Sequence, residues 1–209
     1  MASLTANTVV AAAPAALALP AIIKADPVAG KLKSEDQRCQ ECHADGDRDH
    51  SSAPEFKAAR LAGQYPEYVV KQMRDFRSGA RKHAFMSMMA NSIDDTDLAD
   101  IAAYFGSEKQ MQGDGTGADE LAKNLFINGD KSRNILPCMG CHGANGKGIP
   151  SAGASNPVIG GQEVHYLEKQ LLDWRSGERN NSTGGVMNSS SKSLTDAEIQ
   201  ALAKYIAGL

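Results

Sequence analysis

The stretches that decide the fold are Cys39-Gln40-Glu41-Cys42-His43 and Cys138-Met139-Gly140-Cys141-His142. All four cysteines of the 209-residue chain lie in these two copies of a Cys-x-x-Cys-His motif. Cysteines three positions apart share one face of a helix, so both thiols can add to the vinyl groups at one edge of a haem. The adjoining histidine then becomes the proximal ligand of the iron. The two motifs therefore predict two covalently bound haem c groups.

Other uses of paired cysteines explain the pattern less well. A zinc site with four cysteine ligands would have to join two pairs that lie far apart in the chain. A redox-active cysteine pair belongs in a βαβ pattern, which this sequence lacks. Neither use, nor a structural disulfide within each pair, explains why a histidine follows both pairs.

The sequence around the motifs is also duplicated. Gln64–Gly79 aligns with Gln162–Gly177, and eight of the sixteen positions are identical. Because each copy carries one cysteine motif, each half is expected to hold one haem. We expect a leader at residues 1–33, a first domain at 34–107, a linker at 108–117 and a second domain at 118–209.

Each half is predicted to be helical, with little or no β-sheet. Apolar residues recur at helical spacing after Pro66 and after Val164. Gly79 and Gly177 follow these stretches at the positions where helix C-caps are expected. The sequence shows no hairpin signal and no sustained alternation, which favours an all-α fold.

Capping patterns predict three further helix starts. The last helix of each half is expected to begin at Asp94 and at Thr195, since Asp97 and Glu198 stand three residues later. Ser34-x-x-Gln37 is a capping-box pattern, and it predicts a helix that starts at Ser34 and runs into the first cysteine pair.

Methionine sulfur is the expected second axial ligand of each iron. Between His142 and the last helix the second half contains one methionine, Met187, and the aligned position in the first half is Met86. Met88 and Met89 lie in the same loop as Met86. The sequence therefore predicts Met187 for the second iron and leaves Met86, Met88 and Met89 open for the first, with Met86 favoured.

The remaining methionines and histidines carry weaker signals. Met73 and Met111 are interpreted as core residues. His50, His83 and His165 lie in polar stretches, so we expect solvated side chains, although His83 would be able to replace methionine as a ligand.

Four arginines are candidates for contact with the haem propionates through charge-assisted hydrogen bonds: Arg77, Arg81, Arg175 and Arg179. A solvated position at a helix end explains each of them equally well. The carbonyl of Pro157 is expected to accept a hydrogen bond from Nδ1 of His142, and Ala59 occupies the equivalent place in the first half.

Composition and charge exclude some classes of protein. The formal net charge is −3, with 42% hydrophobic and 22% charged residues. The negative net charge argues against a nucleic-acid binder that relies on a basic surface, and the apolar content argues against a disordered protein.

The first 23 residues contain no charged side chain, and Pro14 and Pro20 interrupt them. This stretch resembles the apolar part of a secretory signal, although it lacks a basic start. An arm packed on a partner and a membrane anchor are the alternatives. All three indicate a periplasmic location, and the last would also allow association with a membrane.

Taken together, these motifs resemble the diheme cytochrome c4 family over about residues 35–209. The resemblance implies two class I cytochrome c domains related by a pseudo-twofold axis, with haem propionates facing each other. It also implies the axial pairs His43/Met86 and His142/Met187. The chain departs from the family in its three-methionine loop, in Ala59 in place of proline, in the acidic run at 45–49 and in its leader.

We therefore expect a periplasmic electron carrier that relays single electrons between a donor redox protein and an acceptor such as a terminal oxidase. The alternative is a haem subunit of a larger complex similar to flavocytochrome sulfide dehydrogenase. A third hypothesis is a haem enzyme such as a peroxidase or a thiosulfate oxidiser. That hypothesis needs an open iron site, and methionine ligation by Met86 and Met187 argues against it.

Overall fold

The computed structural model describes residues 25–43 and 58–209. The first half contains α1 (Pro27–Asp36), α2 (Gln40–His43), α3 (Pro66–Ser78), α4 (Ala84–Ser92) and α5 (Asp95–Ser107). The second half contains α6 (Glu120–Asn128), α7 (Met139–His142), α8 (Val164–Ser176), α9 (Val186–Ser191) and α10 (Asp196–Ala207). Short 3₁₀ turns lie at Lys131–Arg133, Pro150–Ala152 and Thr183–Gly185.

The all-α prediction is confirmed. Within the described ranges the one β-type pairing outside the helices is an isolated bridge between Asp130 and Ile135. No described helix has the length and apolar character needed to cross a membrane. Residues 1–24 of the predicted leader, the acidic run at 45–49 and His50 lie outside the described residues.

Helices α3 and α8 begin and end where the duplicated pattern predicts. Both end at a glycine in the left-handed region, with φ of 79° at Gly79 and 83° at Gly177. A side chain at either position would be strained, which explains why glycine follows both helices. Helix α3 turns Val69, Met73 and Phe76 into the core.

The predicted starts of the last helices are also confirmed. Asp94 accepts a hydrogen bond from the Asp97 amide at 2.8 Å. Thr195 and Glu198 form a reciprocal capping box at the start of α10. These contacts satisfy amides that would otherwise lack partners in the first turn.

The predicted helix start at Ser34 is wrong. Helix α1 begins at Pro27, and the Asp26 side chain accepts from the Val28 and Ala29 amides. Ser34 lies inside the helix, where its hydroxyl donates to the Lys31 carbonyl at 2.9 Å. An N-cap aspartate followed by proline at the first helical position was the stronger signal. The packed part of the first domain therefore begins upstream of residue 34.

Helices α1 and α5 cross at very short range. A Cβ atom added to Gly30 would lie 1.9 Å from the Asp100 carbonyl oxygen, so glycine is needed for this approach. Lys33 closes the crossing with ion pairs of 2.6 Å to Asp97 and 2.6 Å to Asp100. The crossing ties the N-terminal helix of the domain to its last helix.

Each half has its own apolar core. In the first half, α3, α4 and α5 contribute the buried residues Met73, Phe76, Ala90, Ile93, Leu98, Ile101 and Phe105. In the second half, residues of α6, α8 and α10 surround Phe126, which is fully buried. Met73 and Met111, which are 8% and 1% exposed, are core residues as predicted.

The segment between the halves packs against the C-terminus. The amides of Gly113 and Gly115 donate to the carbonyls of Leu209 and Gly208, at 2.9 and 3.1 Å. The Lys147 ammonium donates to the Met111 carbonyl at 2.5 Å. The connection is therefore held on the second half by two backbone hydrogen bonds and by the Lys147 side chain.

Two glutamines join the halves in a twofold pattern. Gln64 donates to the Val158 carbonyl at 2.9 Å and accepts from the Val158 amide at 3.0 Å. Gln162 donates to the Arg60 carbonyl at 3.0 Å and accepts from the Arg60 amide at 2.7 Å. Each side-chain amide therefore pairs with one backbone residue of the other half.

Candidate functional site

Both cysteine motifs form one helical turn. The His43 amide donates to the Cys39 carbonyl at 3.0 Å, and the His142 amide donates to the Cys138 carbonyl at 2.9 Å. None of the four thiols forms a disulfide, and Cys42 and Cys141 are exposed. The turn therefore places two thiols and one imidazole within five consecutive residues, as covalent haem attachment requires.

The predicted carbonyl partners of the motif histidines are confirmed. Nδ1 of His43 lies 2.7 Å from the Ala59 oxygen, and Nδ1 of His142 lies 2.9 Å from the Pro157 oxygen. With the proton on Nδ1, Nε2 carries the lone pair that a metal needs. Burial lowers the pKa of both histidines, which favours the neutral imidazole of an iron ligand.

The first cysteine of each motif lies where burial disfavours the thiolate. Burial raises the pKa of Cys138 to about 11 and also raises the pKa of Cys39. Reactive cysteines have lowered pKa values, because the thiolate is the nucleophile. In the part of the chain that the structure describes, no group of three His, Cys, Asp or Glu side chains is placed to hold a metal ion.

The methionines of α4 differ in their surroundings. Met86 is half-buried and packs against the first core, whereas Met88 is 59% exposed. Met89 is half-buried, one turn after Met86 on the same helix. In the second half Met187 is half-buried at the start of α9, and its amide is bonded to the Ser182 hydroxyl at 3.2 Å.

His83 and His165 are exposed, as predicted. The sequence did not predict that Nδ1 of His83 accepts from the Met86 amide at 3.2 Å and so caps helix α4.

Arg77 and Arg175 hold the backbone of their own domains. Arg77 donates to the carbonyls of Ala90 and Ile93, at 3.0 and 2.7 Å. Arg175 donates to the Leu194 carbonyl at 2.8 Å and to Asp196 at 2.5 Å. Their guanidinium groups therefore fix the turns before α5 and α10.

Arg81 and Arg179 meet across the interface between the halves. Arg81 donates to Gln72 at 2.9 Å and to Gln170 at 2.8 Å. Arg179 donates to the same two oxygens, at 3.0 Å to Gln72 and 2.6 Å to Gln170. Each arginine therefore binds one glutamine of its own half and one of the other.

Two tyrosines extend this network. Arg81 donates to the Tyr166 hydroxyl at 3.0 Å, and Arg179 donates to the Tyr68 hydroxyl at 3.1 Å. Burial raises the Tyr166 pKa, but the charges of Arg81 and Arg179 outweigh it and hold that pKa below its ordinary value.

The two arginines bring positive charge into a buried interface. They are 9% and 6% exposed, and they lie over the rings of Phe76 and Trp174, at 4.6 and 4.2 Å from the ring centroids. Within the described ranges neither guanidinium forms an ion pair with a carboxylate. Buried like charges are costly unless an anion lies nearby. The interface therefore suits anionic groups such as haem propionates, and the residues present fit a haem in each half.

The sequence contains a signal for this interface. The pairs Gln64/Gln162, Tyr68/Tyr166 and Gln72/Gln170 are identical in the two halves. Polar residues that a duplication keeps on a packed helix face are candidates for a shared interface. Only the tertiary structure, however, shows that they bind across it.

Fold and site together define a c-type cytochrome with two haem-binding halves, an electron carrier. The cytochrome c family profile matches residues 125–209. The chain is 40% identical over 190 residues to cytochrome c4 of Pseudomonas aeruginosa, which covers 88% of this chain and 89% of that protein. The chain belongs to the cytochrome c4 family and carries covalently bound haem c.

A solved structure and a second relative extend the comparison. The crystal structure of reduced recombinant cytochrome c4 from Pseudomonas stutzeri superposes with a TM-score of 0.75 at 37% identity, and covers 88% of this chain and 99% of that one. The thiosulfate dehydrogenase electron acceptor of Stutzerimonas stutzeri is 35% identical over 175 residues, which covers 82% of this chain and 78% of that protein. The relatives therefore include proteins named cytochrome c4 and one named as the electron acceptor of a dehydrogenase.

Proposed function

We propose that the chain relays single electrons from a donor redox protein, through both halves, to an acceptor such as a terminal oxidase. The observation that carries this proposal is the shared interface of Arg81 and Arg179, because it joins two haem-binding halves into one unit. The haem iron supplies a one-electron couple when bound. The protein residues hold the group, orient its ligands and balance its charge.

We assign the attachment and ligand residues as follows. Cys39 and Cys42 attach one haem, and Cys138 and Cys141 attach the other. The irons are bound by His43 and Met86 in the first half, and by His142 and Met187 in the second half. The Nδ1 contacts of both histidines support this assignment. For the first iron, the packing of Met86 against the core favours it over exposed Met88.

The ligand assignment explains why the protein would carry electrons without acting on a small substrate. With a histidine and a methionine on each iron, no position is open for substrate. The carbonyls of Ala59 and Pro157 hold the imidazoles in one orientation, which keeps ligand geometry similar in both oxidation states. Arg81 and Arg179 would offset the negative charge of the propionates.

The assignment is tested on holoprotein purified from a host that matures c-type cytochromes. Wild-type protein should show the added mass of two haem groups and two one-electron steps in a redox titration. Met187→Ala should remove a weak absorption band at the red edge of the ferric spectrum, the ferric red-edge band, which arises when methionine sulfur binds the iron. The same change should lower the reduction potential of that haem. Ser189→Ala, which changes an exposed residue of the same helix, is the control. A protein mass without added haem would contradict the assignment of the haems. An unchanged absorption band in Met187→Ala would contradict the assignment of Met187 as a ligand.

A dehydrogenase is the second candidate for the redox partner. The relative named as a thiosulfate dehydrogenase electron acceptor supports it. The two candidates are separated by measuring electron transfer from a thiosulfate dehydrogenase to this protein, and from this protein to a terminal oxidase. Reduction by the dehydrogenase together with stoichiometric co-purification would favour the dehydrogenase role, and oxidation by the oxidase without a bound subunit would favour the respiratory role.

We also propose a periplasmic location, supported by the uncharged apolar stretch Met1–Ile23. Cell fractionation of the native host, with mass analysis of the mature N-terminus, tests this location. Recovery in the cytoplasm would contradict it, and an uncleaved leader in the membrane fraction would indicate anchoring.

A further inference from the structure

The interface between the halves has a break in its twofold pattern. Gln64, Tyr68, Gln72 and Arg81 each have a partner of the same type that makes the same contact from the other side. Asn181 does not. In the register that aligns Arg81 with Arg179, the residue equivalent to Asn181 is His83.

Asn181 contacts the first half through three hydrogen bonds, which involve its side-chain amide nitrogen and its backbone carbonyl. Its side-chain amide nitrogen donates to Gln72 at 3.0 Å and to Asp75 at 2.5 Å. Its backbone carbonyl accepts from the Lys71 ammonium at 2.8 Å. Its side-chain oxygen faces its own half and accepts from Nε of Arg179 at 3.0 Å. One small residue therefore ties α3 of the first half to the arginine of the second.

Within the described residues, His83 makes no equivalent hydrogen bond to the second half. Its Nδ1 caps α4 by accepting from the Met86 amide. As a result, Arg81 hydrogen-bonds through its two terminal nitrogens, whereas Arg179 uses all three of its nitrogens. The guanidinium of Arg179 is the more firmly oriented of the two.

We propose that Asn181 is a positioning residue that fixes the orientation of the two halves and of Arg179, and thereby sets the rate of electron exchange between the haems. This inference rests on the proposed relay function. The rate of electron exchange falls steeply with the distance between redox groups. Asn181 therefore influences this rate by fixing how the two halves are oriented, without contacting either iron. An oriented donor also stabilises an anion more than a mobile one, because no reorganisation is needed. Asn181 therefore gives the second half a more rigid electrostatic environment than the first.

Three variants of the holoprotein test this role. Asn181→Ala removes every side-chain contact. Asn181→Asp keeps an acceptor for Arg179 but replaces the donor to Gln72 and Asp75 with a carboxylate that repels Asp75. Asn180→Ala is the matched control, because Asn180 is the exposed neighbouring residue of the same type. The measurements are the rate of electron exchange after rapid reduction of one haem, the separation of the two potentials and the ferric red-edge band.

We expect Asn181→Ala and Asn181→Asp to slow the exchange by roughly 3- to 30-fold, the range that residues coupling two sites commonly produce. The separation of the potentials should change while the ferric band is retained, which shows that the iron ligands are intact. Asn180→Ala should match the wild type. Should the alanine variant not fold, the aspartate variant carries the test.

Exchange at the wild-type rate with unchanged potentials in both Asn181 variants would overturn the role of Asn181 and leave the relay standing. A wild-type protein whose haems exchange no electrons would instead overturn the relay, and the inference with it.

Discussion

At the scale of single residues, the identity of the first axial sulfur is the sharpest question. Three methionines lie in α4: Met86 packs against the core, Met89 is half-buried one turn later, and Met88 faces solvent. Ligation requires a side chain that turns inward, so burial disfavours Met88. The contact of Met86 with the core and its alignment with Met187 favour Met86 over Met89.

Met86→Ala is expected to remove the sulfur-ligation band of the first haem and to lower its potential, because a sulfur ligand favours the reduced iron. The change is followed by optical redox titration of the holoprotein. Met88→Ala is the matched control and should keep both band and potential. Loss of the band in Met88→Ala with retention in Met86→Ala would reverse the assignment.

Glu198 is a second residue whose environment makes a prediction. The Arg133 guanidinium, at 2.8 Å, holds the pKa of this carboxyl at about 2, below its ordinary value of 4.5. A lowered folded-state pKa stabilises the fold above pH 4.5, and this stabilisation is lost as the pH falls toward 2. The carboxylate is mostly buried, with 10% of its side chain exposed.

Glu198→Gln should therefore lower the free energy of unfolding by about 2–3 kcal/mol at pH 7. The difference from wild type should shrink steadily below pH 4.5. Denaturant unfolding of the holoprotein at several pH values measures it. Glu120→Gln, at a side chain that is 88% exposed, should change stability by less than about 0.5 kcal/mol. A difference for Glu198→Gln that does not vary with pH would contradict the ionic origin of the effect.

At the scale of elements, the crossing of α1 and α5 depends on one missing side chain. The backbone of Gly30 lies so close to Asp100 that even a methyl group would collide with a carbonyl oxygen. The same crossing buries Ser34 and positions Lys33 between two aspartates. The helix that precedes the first cysteine pair is thereby fixed to the last helix of its domain.

Gly30→Ala is expected to destabilise the first domain by about 1–3 kcal/mol, the usual cost of overpacking, despite the higher helix propensity of alanine. Thermal unfolding of the holoprotein, monitored by circular dichroism, measures the loss. Lys31→Ala in the same helix is the control and should be nearly neutral, because this side chain is exposed. Equal or greater stability of Gly30→Ala would show that the helices separate at little cost.

At the scale of the whole molecule, the halves are joined by polar side chains on a pseudo-twofold pattern. Gln64 and Gln162 pair with the backbone of the opposite half, and both are nearly fully buried. Such pairing specifies one orientation, because any rotation of the halves would leave buried amides without partners.

Gln64→Ala removes the hydrogen-bond partners of both the amide and the carbonyl of Val158. Val158 is only 1% exposed, so water does not replace them. The expected loss is about 2–4 kcal/mol, since two buried polar groups lose their hydrogen bonds. Calorimetry should then show the two halves unfolding in separate transitions in place of one. Gln200→Ala, at an exposed position of α10, is the control. A single transition at the wild-type temperature in Gln64→Ala would show that this amide does not couple the halves.

By itself, the sequence determined the haem-attachment motifs and most of the helix ends. The spacing of Cys39, Cys42 and His43 defines haem attachment, and the duplication places it twice. The C-cap glycines and the capping residues Asp94 and Thr195 fixed helix ends, because caps act within a few residues of the chain. A local pattern is not always sufficient, because the capping-box pattern at Ser34 lies inside helix α1.

Tertiary structure alone decided which side chains meet across the chain. The sequence does not distinguish the four arginines. In the structure, Arg77 and Arg175 bind nearby carbonyls, whereas Arg81 and Arg179 meet at the interface. The sequence likewise does not show that Asn181 contacts the first half while the equivalent residue His83 makes no such contact. Contacts between distant residues depend on how the two halves pack, and no local pattern of polarity or spacing encodes that orientation.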